Sequence, residues 1–258
     1  MSSEKTVLFE TKGRIAFITF NRPEKMNAMN GSVFEELKEA FEKYNADDDL
    51  WCAVISGNGD HFCVGGDIAW LAEYQAETGE KVLYEEEYYK AMKESEKPIV
   101  SAIQGYCMGA GMSIGLLYAD VQVVSEDAKF GMTDVCWSIA PPYRAPLPWN
   151  VSLNNAKYLS LTGKIIGGEE ALRMGMVNEL VPREELLERA SQLAETICKN
   201  APISVRAHKE YFQKFMELPG GGGDELAQDV FQKVWDSEDA VEGAKAFAEK
   251  RKPVWQNK

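Results

Sequence analysis

Twice in the first half of the chain, a compact apolar run leads to a glycine-rich turn and then to a helix-like stretch. The first run is Trp51-Cys-Ala-Val-Ile-Ser56, followed by Phe62-Cys-Val-Gly-Gly-Asp-Ile68. The second is Pro98-Ile-Val-Ser-Ala-Ile103, followed by Gly105-Tyr-Cys-Met-Gly-Ala-Gly-Met-Ser113. Arg14-Ile-Ala-Phe-Ile-Thr-Phe20, closed by the turn signal Asn-Arg-Pro, and Ala119-Asp-Val-Gln-Val-Val124 supply further strands. Between them, Val33, Phe34, Leu37, Ala40, Phe41 and Tyr44 keep the spacing of one helical face. Strands alternating with helices define an α/β domain with crossover connections.

From Leu153 onward the pattern is mostly helical. Leu186, Leu187, Ala190, Leu193, Ala194 and Ile197 form one apolar stripe; Leu226, Ala227, Val230, Val234 and Trp235 form another, beyond Pro219 and four glycines that serve as loop or hinge. Such stripes pack within the chain or bind another subunit.

Charge and cysteine usage narrow the function. A net charge of −13 argues against a nucleic-acid partner, whose phosphates need clustered Lys and Arg. Five dispersed cysteines without a CxxC pair read as reduced core thiols, and two histidines are too few for a His-based metal site. No run long and apolar enough for a membrane span occurs, and the first residues lack a secretory apolar region. A cytoplasmic protein without membrane or nucleic-acid partners is expected.

The two glycine turns are the candidate chemistry. Each can present backbone N–H groups, reinforced by the positive end of the following helix dipole. Facing one another, they could hold a single carbonyl oxygen as it becomes an oxyanion, which suits thioester enolates. Taken singly, each is equally a packing device.

In order, Phe20-Asn-Arg-Pro-Glu-Lys-Met-Asn-Ala28, Phe62-Cys-Val-Gly-Gly-Asp67, Lys97-Pro-Ile-Val, Gly105 to Gly111, Ala128-Lys-Phe-Gly131, Leu161-Thr-Gly-Lys164 and Phe247-Ala-Glu-Lys-Arg-Lys-Pro253 resemble the crotonase (enoyl-CoA hydratase/isomerase) superfamily over nearly the whole chain. The resemblance implies a spiral of repeated ββα units over residues 1–195 and a helical region over 196–258 that assembles trimers or dimers of trimers. It implies an acyl-CoA thioester substrate, with coenzyme A part of the substrate and no further cofactor. By motif position the oxyanion donors are the Val64 and Ala110 N–H groups, while Lys25, Ala28, Gly65, Gly66, Asp67 and Ile68 border the CoA. Lys250 or Lys252 reaches a CoA phosphate if the last helix packs on a neighbour; otherwise they are a solvated face.

Departures from the pattern bear on the reaction. The hydratases of this superfamily place two glutamates where this chain has Ser113 and Asp134. Serine is no general base at neutral pH without a partner, but it can hold a water or a substrate oxygen. Asp134 keeps an acid–base function on a shorter arm. One carboxylate suffices to move a proton across a bound enolate, as in the isomerases, whereas serine at the first position resembles the hydroxycinnamoyl-CoA hydratase-lyases. Their extra tyrosine has no counterpart in Gly223-Asp-Glu-Leu-Ala227. Chemistry of the hydratase/isomerase type is therefore expected, with a lyase or a non-catalytic acyl-CoA binder as alternatives. In the proline-rich loop 140–149, Tyr143 and Arg144 contact substrate or pack. Glu86, Glu87, Tyr88 and Tyr89 supply a further acid or an exposed face, and His61 and Cys107 are read as structural.

Overall fold

The computed structural model of the protein describes residues 5–79, 87–137, 151–200, 202–216 and 238–251. The apolar runs become a six-stranded sheet of β1 (Val7–Lys12), β2 (Ile15–Phe20), β3 (Cys52–Gly57), β4 (Ile99–Ile103), β6 (Val121–Ser125) and β9 (Glu179–Val181), paired in that order. Only the β1–β2 hairpin is antiparallel; the other pairs are parallel. Parallel strands are buried on both faces, and alternation along β3 shows it. Ala53 and Ile55 join Ile18, Phe34, Leu37 and Phe41 in the larger core, on the side of helix α1 (Gly31–Ala46). Cys52 and Val54 join Val100, Val123, Ala190 and Ala194 in a second core under helix α7 (Leu186–Cys198). The boundary expected after residue 195 thus falls inside a helix packed on the sheet.

Helix α1 begins where Asn30 caps it, its side chain accepting from Val33 N at 3.2 Å. Lys97, buried, closes the other end by donating Nζ to Tyr44 O at 2.9 Å and Asp47 O at 2.7 Å. Helix α2 (Ile68–Thr78) follows the first glycine turn and α3 (Glu87–Lys93) packs on α1.

A second sheet joins β5 (Tyr106–Met108), β7 (Lys129–Gly131) and β8 (Ile165–Gly167). Each unit of the spiral contributes a long strand, a short one and a helix: β4, β5 and α4 (Ala110–Met112) form one such unit. In the unit before it, the short strand is reduced to a single parallel bridge between Cys63 and Cys107. Cys107 is in turn opposite Phe130. Three successive turns of the spiral therefore stack Cys63, Cys107 and Phe130 in register.

Helices α5 (Leu153–Thr162) and α6 (Gly168–Arg173) flank β8, and α8 (Pro202–Met216) follows α7. The last described helix, α9 (Glu238–Ala248), packs on α2 and on the 3-10 turn Thr133–Trp137 of its own chain. Lys250, read either as reaching a neighbour's CoA or as a solvated face, is an exposed residue just beyond this helix; Lys252 lies outside the described residues, as do Glu86, Tyr143, Arg144, the four glycines and the stripe from Leu226 to Trp235. No helix among the described residues is long and apolar enough to cross a membrane.

Candidate active site

The stacked register of Cys63, Cys107 and Phe130 delivers the candidate residues side by side: Val64 lies one position beyond its stacked residue, Ala110 three, and Asp134 four. The two glycine turns touch. Cys63 N donates to Tyr106 O at 3.1 Å and Met108 N donates to Cys63 O at 3.0 Å. Gly65, at φ +93°, lies so close to the other turn that a Cβ there would stand 3.1 Å from Met108 O and 3.3 Å from Ala110 N. Glycine is required by both the backbone angle and the space.

The two backbone donors differ. Ala110 opens α4, where an N–H has no partner within the helix. Val64 N already donates to Met26 O at 3.3 Å, a long bond. Gly109, at φ +47°, turns the chain into α4, and a Cβ on it would lie 3.5 Å from Asp134 Oδ1. Asp134 and the Ala110 amide thus flank one point.

Asp134 Oδ2 and Ser113 Oγ are both sealed from solvent and have no hydrogen-bond partner among the described residues. Burial pushes the Asp134 carboxyl up to about 6, against a small lowering from its own backbone. Ser113, fully buried, is tied by its N–H to Gly109 O at 3.4 Å. The Asp134 carboxyl borders Gly109 and Ser113 follows that glycine by four residues; both side chains are left with bonding capacity.

The segments expected to border CoA are sewn together: Met29 N donates to Gly65 O and Asp67 N to Met29 O, both at 2.8 Å. Lys25 is exposed on a 3-10 turn, and Ala28 is buried behind it. The Asp67 carboxylate is occupied. Oδ1 caps α2 at Trp70 N (3.3 Å), and Oδ2 pairs with Arg22 at 3.2 Å. Sequence reasoning passed over Arg22 and Asn27, which hold this corner. Arg22 also donates to Ala28 O at 2.6 Å; Asn27 accepts from Arg22 N at 2.8 Å and donates to His61 O at 2.7 Å and Asn58 O at 3.0 Å. The signal was an arginine and an asparagine, five apart, in one turn.

The remaining candidates pack. His61 Nδ1 accepts from Tyr106 N at 3.2 Å, and Tyr88 and Tyr89 lie against Phe34 with ring centroids 5.2 and 6.2 Å away. Burial pushes the Cys107 thiol well above its ordinary value and Cys63 up to about 12, so neither is a ready nucleophile. No group of three His, Cys, Asp or Glu side chains able to hold a metal occurs among the described residues.

A parallel-sheet spiral carrying two apposed glycine turns and a buried carboxyl defines an enzyme class, and the comparisons with known proteins agree. The enoyl-CoA hydratase/isomerase family matches residues 10–258, and the chain belongs to that family of acyl-CoA-processing enzymes. It is 31% identical over 252 residues to the crotonyl-CoA hydratase of Syntrophomonas wolfei, covering 96% of each chain. It is 34% identical over 253 residues to the carnitinyl-CoA dehydratase of Salmonella heidelberg, covering 95% of this chain and 96% of that one. The structure of carnitinyl-CoA hydratase from Mycobacterium avium superposes with a TM-score of 0.85 at 32% identity, over 99% of this chain and 100% of that one.

Proposed function

We propose that the chain adds water reversibly across the α,β double bond of an enoyl-CoA thioester, with Asp134 as the sole carboxylate acid–base. The observation that carries this reading is a pair of buried groups without a partner among the described residues: Asp134 Oδ2, whose carboxyl borders Gly109, and Ser113 Oγ, four residues beyond that glycine. The relatives named for hydration and dehydration support it.

The thioester oxygen accepts from Ala110 N–H and from Val64 N–H, which exchanges or shares its long bond to Met26 O. Each donor that meets the growing oxyanion lowers the barrier by about 3 kcal/mol. Ser113 holds a water. Ionised Asp134 takes one proton from it as the oxygen adds to Cβ and the π electrons move onto the thioester as an enolate. Asp134 then returns that proton to Cα. The product carries OH on Cβ and H on Cα, and Asp134 is an anion again. A carboxyl raised to about 6 makes both transfers inexpensive near neutral pH.

Lys25, Ala28, Gly65, Gly66 and Ile68 border the CoA, and Asp67 does so through its backbone, since its carboxylate is held by Arg22. The substrate's own CoA is the only coenzyme required. We place the enzyme in the cytoplasm as a homotrimer or dimer of trimers.

A second reading is favoured by serine at the position where a second carboxylate would stand. Asp134 then takes a proton from Cα of a 3-enoyl thioester and returns it to Cγ, moving the double bond. Liquid chromatography coupled to mass spectrometry, which resolves the isobaric 3-enoyl and 2-enoyl isomers, applied to crotonyl-CoA and 3-hexenoyl-CoA after incubation in deuterated buffer separates the two. A water adduct is expected; conversion of the 3-enoyl to the 2-enoyl compound alone selects the second reading, and no change in either compound overturns both.

A further inference from the structure

Ser113 begins a π turn, Ser113–Leu117, in which Tyr118 N reaches back five residues to Ser113 O at 2.9 Å. Turns of this kind are rare, and a helix end in an apolar core leaves carbonyls that must find other donors. Two side chains from the sheet below supply them. Ser101 on β4 donates its hydroxyl to Gly115 O at 2.7 Å. Gln122 on β6 donates Nε2 to Ala119 O at 2.9 Å and Leu116 O at 3.4 Å. Both are buried, and they are direct cross-strand partners in the parallel β4–β6 ladder.

Their neighbours make the pair conspicuous. Ile99, Ile103 and Val124, in the same strands, belong to the apolar core. A Cβ on Gly115 would meet Ile103 Cδ1 at 2.9 Å and Phe62 Cε1 at 3.0 Å, so the turn sits directly on the sheet, within reach of both donors. A serine and a glutamine cost more to bury here than apolar residues would, unless their bonds are made. They are made to Gly115 O and Leu116 O within the turn that opens at Ser113 and to Ala119 O just beyond it.

Resting on the reading of Ser113 as the holder of the water, we infer that Ser101 and Gln122 are positioning residues that fix the bearing of the Ser113 hydroxyl. They stabilise the wide turn against an ordinary α turn. A one-residue change in that repeat swings a helical side chain by about 100°. Neither residue touches the substrate; both act through the backbone of the turn.

The test compares full-length Ser101→Ala, Ser101→Thr, Gln122→Met and Ser113→Ala for hydration of crotonyl-CoA, double-bond migration in 3-hexenoyl-CoA, and melting temperature. Ser101→Ala is expected to lower the kcat for hydration about tenfold, as Ser113→Ala does, with KM within about twofold and migration little changed. Ser101→Thr keeps the hydroxyl and restores hydration. Gln122→Met removes the donor at similar volume and shifts the same ratio, which keeps the inference testable if Ser101→Ala does not fold. Hydration and migration falling in proportion with the melting temperature would show a purely structural pair and overturn the inference. If Ser113→Ala lowers hydration while Ser101→Ala and Gln122→Met do not, the positioning role fails and the reading of Ser113 stands. If Ser113→Ala leaves hydration intact, that reading fails and the positioning role falls with it.

Discussion

Two polar corners flank the glycine turns, and the fold treats them oppositely. Asn27, which is only 1% exposed, uses both its polar side-chain atoms in three hydrogen bonds, and Arg22 beside it is clamped between Ala28 O and Asp67. By contrast, Ser113 Oγ and Asp134 Oδ2 are just as sealed yet have no partner among the described residues. Leaving a buried polar group unpaired costs about 1–3 kcal/mol. Saturated bonding makes the first corner a rigid template that holds one turn against the other. The unsatisfied second corner has bonding capacity left for a substrate, a cost that folds tolerate at working sites.

That contrast breaks most sharply at Asp134. Asp134→Asn keeps the shape and removes the ability to carry a proton, so kcat for crotonyl-CoA should fall by about 10²–10⁴ while the protein stays folded. Steady-state assays with a melting curve on the same sample check both halves, and undiminished turnover would move Asp134 into the structural corner. Asn27→Ala should do the reverse. It strands the His61 and Asn58 carbonyls and the Arg22 amide, at a cost on the order of 3 kcal/mol of folding stability. Urea titration should show the midpoint falling; an unchanged midpoint would mean the network is ornamental.

The sequence exposes these two corners unequally. The long strands and α1 are legible because burial on two faces or along one helical stripe leaves a period in the residue pattern: Trp51 to Ser56 maps onto Cys52–Gly57, and the stripe from Val33 to Tyr44 onto Gly31–Ala46. Strands β5, β7 and β8 have three residues each, too few for any period, yet their pairing sets the register that gathers Val64, Ala110 and Asp134. Those three were placed by motif resemblance, not by periodicity. The π turn was invisible because its donors, Ser101 and Gln122, stand inside flanking strands that read as buried apolar runs, and only the paired sheet aims them at its carbonyls. The proton affinity of Asp134 depends on what covers it, and only the folded chain decides that.

Acid titration sharpens the comparison further, since activity and stability should move in opposite directions. Both catalytic readings start from the Asp134 anion, so turnover should decline as pH drops through about 6. Stability follows the opposite sign. The folded carboxyl titrates near 6 and its ordinary value is 3.8, so in that window the folded state binds more protons than the unfolded chain. The stabilisation is full below the lower value and is lost as pH rises through the upper one. Asp134→Asn should therefore be more stable than the parent above pH 6, by about 2–3 kcal/mol, with the advantage gone below about pH 4. Paired melts across that range test it, and a constant difference would mean that Asp134 is not the group titrating.

The smallest effect is expected at Ser113, and it separates the two unpaired groups from each other. Ser113→Ala removes a buried hydroxyl that makes no bond within the described protein, so stability should hold or rise by up to about 1 kcal/mol. A hydroxyl that anchors a water contributes about one hydrogen bond to the transition state, so hydration of crotonyl-CoA should slow about tenfold. Double-bond migration needs no water, and its rate should stay within about twofold, since Asp134 carries that proton alone. Parallel kinetics on the two thioesters give the ratio directly. A loss shared equally by both reactions would place Ser113 beside the enolate, not the water. A stable variant with both rates intact would reduce it to packing and leave Asp134 as the only working group of this corner.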